Sequence, residues 1–290
     1  MNYEMWQQSG ETVRIGGLDV FRIRAGEGGV PVLCLHGFPT SSFDYHKVWA
    51  ALAGQFPLVA FDMIGYGFSS KPIDFNYTTF RQADILENAL AESGITRVHI
   101  LAHDYGNTIT QEFLARRDES RLGFAIESIC FMNGALFPET HRPILAQKLL
   151  ISPVGRLFAK FLTDGRFKAS LASVFGRSTQ PSDQELDEIL AIFKHNDGKR
   201  VAHLLIRYMT ERATNRDRWV GALQKIGVPF RFINGLDDPV SGGHLVARFR
   251  EVVPHETDIV EMEKIGHFPH LEAPGKVIET YLAFRRRAKA

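Results

Sequence analysis

Three reactive side chains in this chain each stand just after an apolar run that breaks abruptly. The first is Asp104. The run holding Val98, Ile100 and Leu101 is cut short by His103-Asp104-Tyr105-Gly106, and a helical pattern follows at once. Ala102 and Gly106 flank the turn with small side chains, where strand and helix must pass closely. Such an elbow lifts one side chain above the carboxyl end of a strand. An aspartate there has two uses: it can cap the helix, or it can attack. The second residue is Asp238, in Gly235-Leu236-Asp237-Asp238-Pro239 after the apolar run Pro229–Asn234. The third is His267, in Gly266-His267-Phe268-Pro269 after the run from Asp258 to Met262. A carboxylate nucleophile, an acid and a histidine in this order form a set that can work together. The acid orients the imidazole, and the imidazole takes a proton from water. Asp237 is the rival acid. Asp238 is preferred for its place three residues after Gly235 and directly before Pro239.

The elements that must carry these residues alternate. A hairpin-like pair spans Thr12 to Arg24 and turns at Gly16-Gly17. Buried-strand patterns follow at Val30–Leu35, Phe56–Phe61, 97–102, Ile126–Met132, Pro229–Asn234 and Asp258–Met262. Helical patterns separate them at Phe43–Ala53, Thr79–Ser93, after the elbow, at Gly243–Glu251 and at Lys276–Arg287. The alternation predicts an α/β fold with a mostly parallel eight-stranded sheet. All three reactive residues then meet at strand carboxyl ends, where open α/β sheets bind ligands. The rhythm lapses from 136 to 213, which has helical stretches at 143–150, 183–194 and 199–211 but no buried-strand run. This segment is expected to be a helical cap inserted into a core made of 1–135 and 214–290.

Composition sets the boundaries of function. A 290-residue chain with 44% hydrophobic and 23% charged residues can bury one sizeable core. A net charge of +1 gives no nucleic-acid footprint. Cys34 and Cys130 each lie in an apolar run and are expected to be buried free thiols. Met1 to Gly10 has no signal-peptide pattern, and no apolar run is long enough to span a membrane. A cytoplasmic protein without cofactor or metal is expected. The basic ending, Arg285-Arg286-Arg287-Ala288-Lys289, reads as a solvated, frayed helix end.

The chain resembles the α/β-hydrolases of the epoxide hydrolase and haloalkane dehalogenase branch. Leu35-His36-Gly37-Phe38-Pro39-Thr40-Ser41-Ser42 resembles the oxyanion loop of that branch, and His103-Asp104-Tyr105-Gly106 its aspartate elbow. Asn133-Gly134, Phe137-Pro138-Glu139-Thr140-His141-Arg142-Pro143, Gln147-Lys148-Leu149-Leu150 and Arg218-Trp219-Val220-Gly221-Ala222-Leu223 resemble the mesoderm-specific transcript-like group within it. The resemblance implies an alkyl ester formed on Asp104, with Phe38 and Tyr105 N–H groups as the oxyanion hole. It implies a small apolar organic substrate and water as partners.

Two leaving groups fit an aspartate nucleophile. Epoxide opening makes an alkoxide and needs a proton donor, for which Tyr208 resembles one of the two cap tyrosines of epoxide hydrolases. The second is missing: no tyrosine lies between Gly106 and Arg207. His36, His141, His195 and His203 are the histidine candidates near that role. A departing halide needs N–H donors instead. Dehalogenases usually place tryptophan after the nucleophile, where this chain has Tyr105; Trp219 is the one tryptophan near the cap. Epoxide hydrolysis is the favoured expectation, haloalkane dehalogenation the alternative. A ligand-binding protein without turnover is the expectation from another class.

Overall fold

The computed structural model describes residues 1–288, so Lys289 of the basic ending lies outside the described residues. Eight strands form one sheet in the order β1-β2-β4-β3-β5-β6-β7-β8. They are β1 (Gly10–Ile15), β2 (Leu18–Ala25), β3 (Val32–Leu35), β4 (Leu58–Phe61), β5 (Arg97–Ala102), β6 (Ala125–Met132), β7 (Phe230–Gly235) and β8 (Ile259–Met262). β1 pairs antiparallel with β2, and β2 with β4; every later pairing is parallel. β3, β4 and β7 are buried along their whole length, which explains their unbroken apolar runs. The chain runs from β3 outward to β4, then returns to the other side of β3 as β5. That reversal opens a crevice at the carboxyl ends of β3 and β5.

One core layer packs Leu86, Ile109, Phe113 and Phe249 against one face of the sheet. The opposite layer holds Trp6, Trp49, Tyr281 and Phe284. Trp6 belongs to a helix, Tyr3–Ser9, that the sequence pattern does not announce. Asn2 caps it through Met5 N–H, and the Trp6 indole donates to Ser42 Oγ at 3.2 Å. Cys34 and Cys130 are buried free thiols. The last helix, Pro274–Arg287, departs from expectation: Arg285 is 2% exposed, with its guanidinium 4.4 Å from the Phe56 ring centroid. Its planar cation stacks on aromatic faces instead of fraying into water.

Between β6 and β7 the described chain forms helices joined by turns and irregular loops, with no strand. Helices Leu145–Ile151 and Asp183–Lys194 match the stretches read from sequence periodicity, whereas Gly155–Phe161, Asp164–Ala172 and Arg216–Leu223 lie outside them. The single helix read over 199–211 is replaced by three short pieces: His195–Val201, Ala202–Leu205 and Tyr208–Thr214. Just ahead of that stretch, Asn196 and Asp197 adopt φ of +51° and +56°, which separates these pieces from helix Asp183–Lys194.

Candidate active site

Asp104 has φ 48° and ψ −110°, an unfavourable conformation for a residue with a Cβ. Its surroundings impose it. Asp104 N–H donates to the Asn133 carbonyl at 2.7 Å. A Cβ on Gly134 would strike the Asp104 backbone; one on Gly37 would strike its side chain; one on Gly106 would meet the Leu35 carbonyl. The loops after β3 and β6 therefore close on this residue. The Asp104 side chain does not cap its helix, Tyr105–Asp118. Its Oδ2 instead accepts the Phe38 N–H at 2.9 Å. Tyr105 opens the helix, so its N–H has no intrahelical acceptor and the helix dipole favours negative charge beside it.

The loops after β7 and β8 bring the other two residues in. His267 Nδ1 lies 2.7 Å from Asp238 Oδ2, and His267 Nε2 lies 4.0 Å from Asp104 Oδ1. Asp237 is exposed, its N–H bound to the Ile265 carbonyl. Asp238 also accepts from Ser241 Oγ at 2.6 Å, Val240 N–H at 2.7 Å and Asn133 Nδ2 at 3.0 Å. Burial pushes the Asp238 pKa up, but the His267 charge and these hydrogen bonds outweigh it and hold it at about 2. Burial also works against a charged His267. The Asp238 charge and hydrogen bond, then the Asp104 charge, nonetheless raise its pKa to about 9.

Asn133 joins the two sides of this arrangement. Its backbone holds Asp104; its amide reaches Asp238 and bonds both polar groups of Gly235. Sequence marks Asn133-Gly134 only as a motif. The signal was its place at the end of β6, but its partners lie about a hundred residues downstream.

Above Asp104 stands a ring of aromatics. Phe38 faces Tyr66 at 6.4 Å and Tyr208 at 6.0 Å between centroids; Tyr105 faces the same two at 6.3 Å and 4.6 Å. The Tyr208 and Tyr66 hydroxyls are buried without a hydrogen-bond partner among the described residues. Burial, then nearby negative charge including Asp104, pushes both phenol pKa values well above 10. Tyr66 comes from the loop after β4 and escapes a search for a second tyrosine confined to the cap. The Arg212 guanidinium lies 5.1 Å from the Tyr208 ring centroid, is 2% exposed, and donates to Thr108 Oγ1. No acidic side chain pairs with it among the described residues.

Other candidates are placed elsewhere. His36 is fully buried and structural: Nδ1 donates to the Gly37 carbonyl at 2.9 Å and Nε2 accepts Met63 N–H at 3.0 Å. Both ring nitrogens are thus committed, which corrects its reading as a leaving-group residue. Trp219 is also corrected: its N–H donates to Glu112 Oε2 at 2.9 Å, inside an ion-pair network with Arg116 and Arg218. His195 packs on Phe68, His203 lies near Arg156 and Arg207, and His141 Nδ1 is 3.5 Å from Arg212. Beneath the site, Asp44, His103 and His270 bring ligand-type atoms within 4.8 Å of one another. Burial lowers both imidazole pKa values, that of His270 to about 3. Neutral imidazoles and a carboxyl with unpartnered atoms suit ordered water, which can give and take hydrogen bonds there. Beside His267, a cavity runs outward between Phe38, Leu171, Val174 and Phe268.

A crevice at the sheet's switch point, an elbow residue, an acid and a histidine define a hydrolase scaffold. The chain belongs to the alpha/beta hydrolase fold family, whose model matches residues 30–274. It is 38% identical over 292 residues to the mesoderm-specific transcript protein of Mus musculus, spanning 96% of this chain and 86% of that one. It is 36% identical over 281 residues to a putative hydrolase of Mycobacterium tuberculosis, LipZ, covering 96% of each. Among solved structures, the haloalkane dehalogenase DbeA of Bradyrhizobium elkani superposes with a TM-score of 0.77 at 24% identity, covering 97% of this chain and 99% of that one. The epoxide hydrolase CorEH gives 0.73 at 21% identity, covering 95% and 97%. These two likenesses concern the fold.

Proposed function

We propose that the protein hydrolyses small apolar epoxides through an alkyl ester on Asp104, with the helical segment between β6 and β7 as a cap. The observation that carries this reading is the pair of unpartnered tyrosine hydroxyls, Tyr208 and Tyr66, buried beside Asp104. A buried donor without an acceptor costs roughly 1–3 kcal/mol, and an epoxide oxygen would supply the acceptor. Oδ2 is engaged by Phe38, so Oδ1 attacks the epoxide carbon. The carbon–oxygen bond of the strained ring breaks, and Tyr208, seconded by Tyr66, gives a proton to the departing oxygen. The ester leaves Asp104 neutral. That removes one of the charges that raise the His267 pKa; the imidazolium gives its proton to the Tyr208 phenolate, which restores the phenol and leaves the imidazole free to act as base. His267 then takes a proton from water, the resulting hydroxide attacks the Asp104 carbonyl carbon, and the Phe38 and Tyr105 N–H groups hold the oxyanion. The bond from that carbon to the alkyl oxygen then breaks, the proton of the added hydroxyl passes to the departing oxygen, and the diol leaves with the Asp104 carboxylate restored.

An ester substrate fits less well, since carboxylate attack on it would give a reactive anhydride. A haloalkane needs N–H donors at the halide. The Trp219 N–H is committed to Glu112, and Trp6 and Trp49 pack together in the opposite core layer. The test is a panel of epoxides and bromoalkanes with diol and halide release measured separately. Diol release supports the reading. Halide release alone transfers it to dehalogenation, and saturable binding without either product to a ligand-binding protein.

A further inference from the structure

The outer face of the cap does not resemble the rest of the surface. Leu145 is 71% exposed, Phe161 65%, and Val154 and Leu157 56% each. Val154, Leu157 and Phe161 follow at intervals of three and four, which aligns them on one side of helix Gly155–Phe161. Helix Leu145–Ile151 packs beside it and adds Leu145. From 141 to 163 the chain has four basic residues, Arg142, Lys148, Arg156 and Lys160, and no acidic one. All four are exposed, and Arg207 adjoins Arg156 near His203. None of the five has an ion-pair partner among the described residues. Elsewhere on this surface arginines meet acids, as Arg216 and Arg248 both do with Glu139.

We propose that this face docks on an anionic lipid surface, with Leu145, Val154, Leu157 and Phe161 entering the headgroup boundary and the five cations holding the phosphates. Apolar tips ringed by unpaired Lys and Arg are the pattern of interfacial helices. A second copy of the chain is a poor occupant, because two such faces would meet with cations on both sides. The site gives the docking a use. Helix Leu145–Ile151 turns Ala146 and Leu150 towards the cavity that reaches His267. One helix therefore separates the lipid surface from the path to Asp104, about 10 Å in thickness. An apolar substrate dissolved in the bilayer would have a short way in. The docking does not depend on which bond the site cleaves.

Flotation of the full chain with vesicles tests it. The protein is expected to float with equal parts phosphatidylserine and phosphatidylcholine, to stay behind with phosphatidylcholine alone, and to be released by added salt. Lys148→Glu with Lys160→Glu should weaken partitioning at least roughly 25-fold, at about fivefold per cation removed. Leu157→Ser with Phe161→Ser should also abolish flotation while circular dichroism and melting stay unchanged, since both side chains are exposed. The proposal is overturned if the anionic vesicles do not carry the protein, or if both variants float as wild type does. It is also overturned if light scattering shows a concentration-dependent dimer that Phe161→Ser abolishes.

Discussion

The two walls of the site are built on opposite principles. On the sheet side, Asp238 is met by His267, Ser241, Val240 and Asn133, and Asp104 is pinned by the loops after β3 and β6. On the facing side, Tyr208 from the helical segment between β6 and β7 and Tyr66 from the loop after β4 have hydroxyls without a partner, and the Arg212 guanidinium is without a counter-ion, among the described residues. A fully bonded wall is rigid before substrate arrives, and suits charge stabilisation. A wall with unmet donors is completed by substrate, so its energy is realised only on binding or in the transition state.

The largest effect should come from the rigid wall. Asp104→Ala is expected to lower turnover by at least about 10⁴-fold in a protein that melts normally. Appreciable product from that folded variant would remove Asp104 as the nucleophile. His267→Gln should stop turnover almost as completely yet leave the first step intact. Intact-protein mass spectrometry should then show a substrate-sized adduct on Asp104; a dead variant without adduct in a single turnover would break the two-step scheme.

The open wall should give smaller and more selective losses. Tyr208→Phe is expected to slow ester formation from an epoxide by roughly 10²–10⁴-fold, and to leave a matched bromoalkane nearly unaffected. Tyr66→Phe should cost less while Tyr208 remains, and the double variant more than the product of the two, since each phenol partly stands in for the other. Rapid-quench kinetics reads both. Equal losses on both substrates would reduce the tyrosines to packing residues.

The smallest effect is a titration. His267 has a pKa raised to about 9, partly by Asp104, so at neutral pH the resting imidazole carries a proton. Asp104→Asn removes that charge and should bring the His267 pKa down, as followed by NMR of its ring protons. Alkylation has the same sign, so ester hydrolysis should rise with pH through a value below that of the resting enzyme. An unchanged His267 titration in Asp104→Asn would mean that Asp238 alone sets the charge.

Sequence by itself determined the parts of this protein that are local. Buried strands announce themselves as unbroken apolar runs because both faces are covered, and the elbow shows because a strand, a polar residue and a small residue must follow in order. The chain order of Asp104, Asp238 and His267 was legible for the same reason: each follows a strand by a few residues. The tertiary structure decided what depends on distance in space. It gave His267 to Asp238 and left Asp237 exposed. It brought Tyr66 from the loop after β4 to within 6.3 Å of Tyr105, ring to ring. It bound the Trp219 N–H to Glu112, and it divided the helix expected over 199–211 into shorter pieces. Neither periodicity nor spacing along the chain encodes such encounters. They are fixed when segments far apart in sequence compete for the same buried volume, and each polar atom must find a partner there or wait for one.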